Sequence, residues 1–229
     1  MQPSTFLDPV EWVLSVRWNR VADWLRSALW HHYSLCPISL PPNVPVQTAY
    51  TAQVLASSTR ARLPTHLLAL PTTTPNGPST ILLPVDANAY HDAFENASLV
   101  PQTTNRPTPI VDPATQLPLL TLPVIPVSVP HAPSLALVLL FGLGLETDRN
   151  VLATHLLPDE AIGEFPNAAA MSGVVSRLRT PQFDFYWELN QGVWKNTLCL
   201  AAKSAQLAEL VPMTLKVVAD ARKMRIRRW

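Results

Sequence analysis

The stretch PATQLPLLTLPVIPVSVPHAPSLALVLLFGLGL, Pro113–Leu145, decides the fold of this chain. Its 33 residues include six prolines and no charged side chain, so the segment needs to be buried. A single helix is excluded, because each internal proline removes a backbone donor and clashes with the preceding turn. The pattern predicts a short extended segment, a sharp turn over Val129–Pro133, and a buried helix that Ser134 caps and that ends near Gly142–Gly144. Such a pattern is typical of a scaffold and not of a catalytic site.

The extended part of this stretch, Leu119–Val129, is predicted to be a β-strand. It contains Pro123 and Pro126, which cannot donate to a sheet ladder, so we expect an edge strand or a bulged one. The polar segment Pro101–Pro118 before it is long for a connection within a compact domain. Its length indicates either a flexible loop or a family-specific insertion.

A β-hairpin is predicted earlier in the chain. The apolar runs His66–Leu70 and Thr80–Leu83 flank a loop rich in proline and threonine, Pro71–Pro78. Within that loop, Asn76-Gly77 is a turn signal of the kind that joins paired strands.

Helical patterns dominate the rest of the chain. Asp86 is predicted to cap a short helix from Ala87 to about Ala97, and Thr48–Leu63 is predicted to form another short helix. From Asp148 onward, prolines, including Pro212, mark the expected starts of successive helices. The segments predicted there are Asn150–Leu157, Asp159–Glu164, Asn167–Leu178, Phe185–Ala202 and Ala205–Arg228.

These patterns predict an α+β fold, with a small β-sheet (hairpin plus edge strand) packed among many helices and a helix-rich C-terminal third. We divide the chain into three parts. Residues 1–36 are predicted to form an N-terminal tryptophan-rich helix, and residues 37–63 a proline-rich linker with a short helix. Residues 64–229 are predicted to form a single α+β interaction domain with a flexible insertion near 100–118.

Tryptophan recurs along the N-terminal helix, which Asp8 can cap and which is predicted to run to about His32. A step of six residues turns by roughly 240° around a helix axis, so the tryptophans spread around the helix. Either the helix is buried from several sides, or its tryptophans anchor a partner protein. The candidate partner-binding residues are Trp12, Trp18, Trp24 and Trp194.

Trp194 lies in the segment Asn190–Asn196, which also contains Gly192. A glycine inside a helix costs about 1 kcal/mol relative to alanine. We therefore expect another backbone to pack closely against Gly192, and Trp194 to serve as a core or interface anchor beside it.

Composition limits the classes of function. Charged residues make up 14% of the chain and the formal net charge is +1, so no strong field attracts nucleic acid to the whole surface. Cys36 and Cys199 are predicted to be reduced thiols. The chain opens without a secretory pattern, and the apolar run near Leu135–Leu145 is about half the length of a bilayer span. We expect an intracellular protein, nuclear or cytoplasmic, that is neither secreted nor placed in a membrane.

Familiar catalytic motifs are missing from the sequence. It contains no phosphate-binding loop, no dinucleotide fingerprint and no nucleophile elbow, so neither an enzyme activity nor a cofactor is predicted. The nearest approach to a metal site is His31, His32 and Cys36, which would need His66 or His91 as a further ligand. An enzyme from a class without a short motif is kept as an alternative. Its candidate residues are His31, His32, Asp86, His91 and Asp92.

The chain ends in a basic run, Arg222–Arg228, followed by Trp229. One explanation is that cations at a helix C-terminus interact favourably with the helix dipole. The other is nuclear import, because an accessible basic cluster is what import receptors bind. The residues assigned to import are Lys223, Arg225, Arg227 and Arg228. Direct DNA binding through this tail is a further alternative, against which the low overall charge argues.

Part of the decisive stretch resembles the BTB/POZ fold. In that fold a strand that ends in a Val-Pro step leads to an apolar helix, which closes in an aromatic–glycine pair. The corresponding residues here are Val127-Ser-Val-Pro130 and Leu135-Ala-Leu-Val-Leu-Leu-Phe-Gly142. The resemblance implies the order hairpin, short helix, edge strand, turn and apolar helix.

The chain also resembles the fungal "clampless" family, regulators of clamp-cell formation and dikaryotic growth. The residues that carry this resemblance are Ile81–Asp86, Val129–Leu135, Leu139–Leu145, His155–Pro158, Glu164–Met171, Asn190–Asn196 and Ala219–Arg222. The resemblance implies a non-enzymatic interaction module that regulates fungal sexual development in the nucleus. The implied partners are regulatory proteins such as mating-type transcription factors, and a homodimer is left open.

Overall fold

The computed structural model describes residues 23–55, 63–74 and 77–227. Within them the chain forms a mixed α+β fold, in which a small curled sheet lies among helices, as the sequence predicts. The strands are β1 Ala49–Gln53, β2 His66–Thr74, β3 Gly77–Val85, β4 Ile110–Val111 and β5 Pro118–Pro126. The helices are α1 (23–32), α2 Ala87–Ala93, α3 Leu135–Gly142, α4 Arg149–Leu156, α5 Asp159–Ile162, α6 Ala168–Ser176, α7 Thr180–Leu200 and α8 Ala205–Ile226.

The predicted hairpin is confirmed. Strands β2 and β3 pair antiparallel over their whole length, with Leu68 opposite Leu83 and Thr74 opposite Gly77. The pairing extends into the loop expected between the two apolar runs, so the strands are longer than the sequence pattern indicates. The strand order is β1-β5-β2-β3, and β4 also pairs with β5.

The prediction that β5 is an edge strand is wrong, because β5 lies inside the sheet. It pairs antiparallel with β1 on one side and parallel with β2 on the other. Its two prolines are tolerated because neither lies where a ladder donor is needed. Pro123 precedes the three residues that pair with β2, and Pro126 lies beyond the end of the pairing with β1.

The short helix predicted over Thr48–Leu63 is also wrong where the structure describes it. Residues Ala49–Gln53 form β1, with Thr51 opposite Thr121 of β5 and their hydroxyl groups 2.9 Å apart. Residues 56–62 lie outside the described part of the chain. Strand β1 pairs with β5 along its whole length on one side, and this pairing outweighs a weak local helical preference.

Strand β3 forms the other edge of the sheet, and its outer side is partly covered. Trp30 of α1 donates its indole N–H to the Leu82 carbonyl, and the Asn43 N–H donates to the Pro78 carbonyl. Pro84 lies an even number of residues from Leu82 and Pro78, so its backbone nitrogen also faces the outer side of β3. A proline has no N–H to present there. Proline and covering groups are common protections against edge-to-edge aggregation.

Helix α3 lies at the centre of the main core. Every residue from Leu135 to Phe141 is buried, so the helix has no solvent-facing side, as the decisive stretch predicts. Gly142 ends this helix at a point where a Cβ would overlap the ring of Phe94. A second, smaller core joins α5 and α6 to the ends of α7 and α8, and it includes Val175 and Val218.

The predicted helices after Asp148 are confirmed as α4 to α8, with some shifts at their ends. Helix α7 begins at Thr180, before the predicted start, and Pro212 lies inside α8 and not at a helix start. The Asp86 cap is confirmed, since its Oδ1 accepts from the Asn88 N–H at 2.9 Å, although α2 ends at Ala93.

Residues 23–32 of the predicted N-terminal helix are helical, and residues 1–22 lie outside the described part. No helix within residues 23–55, 63–74 and 77–227 has both the length and the apolar character needed to cross a membrane. Cys36 and Cys199 are free thiols.

Candidate functional site

An apolar groove of about 720 Å³ opens between α4, α5, α6 and α8. Its buried lining includes Leu157 and Met171, whereas Phe165 is 64% exposed. An apolar groove with an exposed aromatic side chain in its lining is a candidate protein interaction surface. The apolar lining residues are Ala153, Leu157, Ile162, Phe165, Met171, Leu210 and Met213.

Local sequence explains how the groove is held open. Leu210 and Met213 are three residues apart on α8 and therefore lie on one face of that helix. On the opposite wall, Asn167 caps α6 by accepting the Ala170 N–H at 3.1 Å, which fixes the short connection that carries Phe165. Flexible methionines line the groove, and such side chains adapt to the shape of a partner.

One end of the groove carries an ion pair. The guanidinium of Arg149, in the first turn of α4, lies 2.6 Å from Oε2 of Glu209 on α8. Both side chains are more than half exposed, so the pair contributes little to stability. Gln206 also donates to the Thr147 carbonyl, and these contacts join the start of α4 to α8.

The sequence analysis did not identify this groove. Its lining residues come from two separate stretches of the chain, 149–171 and 209–213, which only the packing of α8 brings together. One signal was present: Phe165 is followed by Pro166 and Asn167 between two predicted helices, where a large apolar side chain has no core position to fill.

Of the four predicted partner-binding tryptophans, the structure describes Trp24 and Trp194, which have different surroundings. Trp24 is 53% exposed and packs against the His155 ring of α4, with 5.0 Å between ring centroids. Burial lowers the pKa of His155, so this ring is neutral at pH 7. Trp194 is half-buried and packs against the main core, while Trp12 and Trp18 lie outside the described residues.

The basic tail is partly built into the fold. Arg225 donates to the Ser176 and Leu178 carbonyls at 3.2 and 2.6 Å, and its guanidinium lies 4.6 Å from the Phe183 ring centroid. It therefore satisfies carbonyl groups left open at the end of α6. The Lys223 ammonium lies 2.8 Å from Asp220.

Two further cations of the tail differ in their contacts. Arg222 stacks over the Trp187 ring at 4.5 Å, whereas Arg227 is exposed. Arg228 lies outside the described residues. Of the three described side chains assigned to nuclear import, Arg225 is the one whose hydrogen bonds reach beyond its own helix.

The residues of the alternative enzyme hypothesis do not share one pocket among the described residues. His31 and His32 are exposed on α1, while Asp86 is buried at the start of α2 and caps it. His91 and Asp92 line a depression of about 420 Å³ with Asn88 and Gln102–Thr104. In residues 23–55, 63–74 and 77–227, no three histidine, cysteine or acidic side chains are placed to hold a metal ion.

A buried polar cluster joins the turn before α3 to the C-terminal half of α7. The Asn196 side chain accepts from the His131 N–H at 3.1 Å and donates to the His131 carbonyl at 2.7 Å and to Ser134 Oγ at 3.0 Å. Nδ1 of His131 shares a hydrogen bond of 2.9 Å with the same Oγ. Burial, and secondarily the charge of Lys195, lower the pKa of His131, which keeps its ring neutral at pH 7.

This cluster corrects two predictions. Ser134 makes no side-chain capping bond to α3, because its hydroxyl is bonded within the cluster. Gly192 does admit a close neighbour, but that neighbour is the His131 ring and not another backbone. A cluster so fully hydrogen-bonded around a buried serine fixes the position of α3 against α7.

The comparisons with known proteins add no assignment: no family profile, no curated protein and no solved structure matches the chain.

Proposed function

We propose that the chain is a protein–protein interaction module that binds an amphipathic helix of a partner in the groove between α4 and α8. The observation that carries this proposal is the apolar groove itself, with Phe165 exposed at its opening. Binding of an amphipathic helix in an apolar groove is a recurrent mode of peptide recognition.

The dimensions of the groove support a helical partner. The eight residues of α4 form one wall, which at about 1.5 Å per residue is about 12 Å long. Two turns of a helix span a similar distance and present three apolar side chains on one face. The methionines and leucines of the lining can repack around such anchors.

The biological role of the module is proposed from the resemblance. The order of β5, the turn at Pro130 and the apolar helix α3 supports a BTB/POZ-like arrangement. In this proposal the module regulates clamp-cell formation and dikaryotic growth of a fungus, in the nucleus or cytoplasm, and its partners are mating-type transcription factors. The segments Val129–Leu135 and Asn190–Asn196, which carry part of the resemblance, meet in the cluster around His131.

Replacing Phe165 with serine is expected to weaken partner binding about tenfold or more, because burying a phenylalanine side chain in a complex contributes about 1.5–3 kcal/mol. The side chain is 64% exposed, so the fold is expected to keep its stability. Biolayer interferometry with purified mating-type transcription factors of the same fungus measures the change in affinity.

Leu198→Ser is the matched control. Leu198 is also exposed and apolar, at 58%, but it lies on α7 and does not line the groove. Equal losses of affinity for the two variants, or none for either, would contradict the role of the groove. Complementation gives a second readout: in a deletion strain that fails to form clamps, Leu198→Ser should restore them and Phe165→Ser should not. Normal clamp formation in the deletion strain would remove the proposed role in development.

The tail is expected to divide into a structural and an import function. Arg225→Gln should lower the free energy of unfolding by about 2 kcal/mol, since it removes charge-assisted hydrogen bonds to the carbonyls of Ser176 and Leu178 at and just after the end of α6. Replacing Lys223, Arg227 and Arg228 together by glutamine should leave stability nearly unchanged, because the described contacts of these side chains are at the surface. Chemical denaturation measures both.

Nuclear import is tested with the same variants as fluorescent fusions. The triple variant is expected to lose nuclear concentration, and Arg225→Gln to retain it. If the triple variant concentrates in nuclei like the parent, the tail does not direct import and its basic residues serve the fold alone.

A further inference from the structure

We propose that the helix bound by the groove is basic on its polar face. This inference rests on the proposed function and names the chemistry of the partner. It is carried by the charge of the segments that contain the residues lining the groove, and above all by three exposed carboxylates next in sequence to Ile162 and Phe165.

The segments that contain the residues lining the groove, 146–176 and the first part of α8 (205–216), carry six carboxylates and two cations, a net charge of −4. The complete chain has a net charge of +1, so these segments are more acidic than the chain as a whole, whereas the part of α8 beyond Lys216 is basic and does not line the groove. His155 adds no positive charge at pH 7, because burial lowers its pKa. The six carboxylates are Glu146, Asp148, Asp159, Glu160, Glu164 and Glu209, and the two cations are Arg149 and Lys216.

Some of these carboxylates are engaged within the fold. Glu209 pairs with Arg149 at 2.6 Å. Asp148 caps α4 by accepting the Asn150 N–H, and Glu146 accepts the N–H groups of Thr147 and Asp148. These three are therefore less able to attract a partner than carboxylates without such contacts.

Three carboxylates remain available next in sequence to residues that line the groove. Asp159, Glu160 and Glu164 are exposed, and they make no side-chain hydrogen bond or ion pair with any described residue. They alternate along the chain with Ile162 and Phe165, which line the groove. A helix whose apolar face rests on Ile162 and Phe165 therefore places its flanking side chains near these carboxylates.

The three exposed carboxylates favour a partner helix of positive charge. Carboxylates around a docking surface speed the approach of a basic segment and disfavour an acidic one. Lys216 lies about one turn beyond Met213 on α8 and opposes this effect at that end of the groove. Each exposed pair contributes little by itself, but several together change affinity by about tenfold in dilute salt.

The test uses two synthetic amphipathic helices of about 18 residues with the same leucine face, one with lysine and one with glutamate on the polar face. Fluorescence anisotropy measures their affinity for the purified full chain at about 50 mM and about 300 mM salt. The lysine helix is expected to bind about tenfold more tightly in dilute salt, and the difference should shrink in concentrated salt.

Two matched double variants locate the effect. Glu160→Gln/Glu164→Gln should remove most of the preference for the lysine helix, whereas Asp184→Asn/Glu188→Gln, which changes two exposed carboxylates of α7, should leave it intact. Phe165→Ser should weaken the binding of both synthetic helices.

The outcomes separate this inference from the proposed function. If both helices bind equally, with the same salt dependence, and Phe165→Ser weakens both, the groove is a docking site without charge preference and the present inference is overturned. If neither helix binds, or if Phe165→Ser changes nothing, the proposed function fails as well. A preference that Asp184→Asn/Glu188→Gln abolishes equally would reflect total charge and overturn the inference.

Discussion

Gly192→Ala is expected to lower the free energy of unfolding by about 3 kcal/mol, because the new methyl group would overlap the His131 ring. The ring cannot move aside at low cost. Its backbone is held by two hydrogen bonds to Asn196, and its Nδ1 is bonded to Ser134. Chemical denaturation of the two proteins measures the difference.

Gly173→Ala is the matched control for this substitution. Gly173 lies inside α6, and no atom approaches within 4 Å of the position that a Cβ would take. There the same change should stabilise the protein by up to about 1 kcal/mol, because alanine favours a helix more than glycine does. If both variants are destabilised to the same degree, overlap with the His131 ring is not the cause of the loss at Gly192.

Asn196→Ala is expected to lower the free energy of unfolding by about 3 kcal/mol. The change leaves the His131 N–H, the His131 carbonyl and the Ser134 hydroxyl without their partner in a buried site. Each buried group that loses its hydrogen bond costs about 1–3 kcal/mol, and residual bonds between His131 and Ser134 reduce the total.

Asn88→Ala provides the comparison for Asn196→Ala, since Asn88 is exposed on α2 and should change stability by less than about 0.5 kcal/mol. The double variant Gly192→Ala/Asn196→Ala gives a further check. Both changes act through His131, so their combined effect is expected to fall short of the sum by more than about 0.5 kcal/mol. Strict additivity would mean that the two residues do not act through one cluster.

The candidate groove shows why a site can escape sequence analysis. In the sequence, an apolar side chain gives the same pattern whether it faces a neighbouring helix or an open groove. The pattern therefore predicts ordinary core positions for Leu157, Met171 and Met213. Packing of α4, α5, α6 and α8 decides which of them face each other. The basic tail was ambiguous in the same way, because its cations fit either a structural role or nuclear import. Only the tertiary structure shows that Arg225 binds carbonyl groups at the end of α6.

The sequence by itself determined the elements whose causes are local. The Asn76-Gly77 signal predicted the hairpin, the uncharged run after Pro133 predicted the buried helix α3, and Asp86 predicted the start of α2. Their physical origins are turn geometry, the absence of any polar face, and a capping side chain, which act within a few residues.

Only the tertiary structure decided the features that depend on distant partners. It placed β5 inside the sheet, made Ala49–Gln53 a strand, and set the His131 ring on Gly192. In each case the outcome depends on which backbone or side-chain groups packing brings opposite one another, because a hydrogen bond or a steric contact is made across space and leaves no periodic trace along the chain.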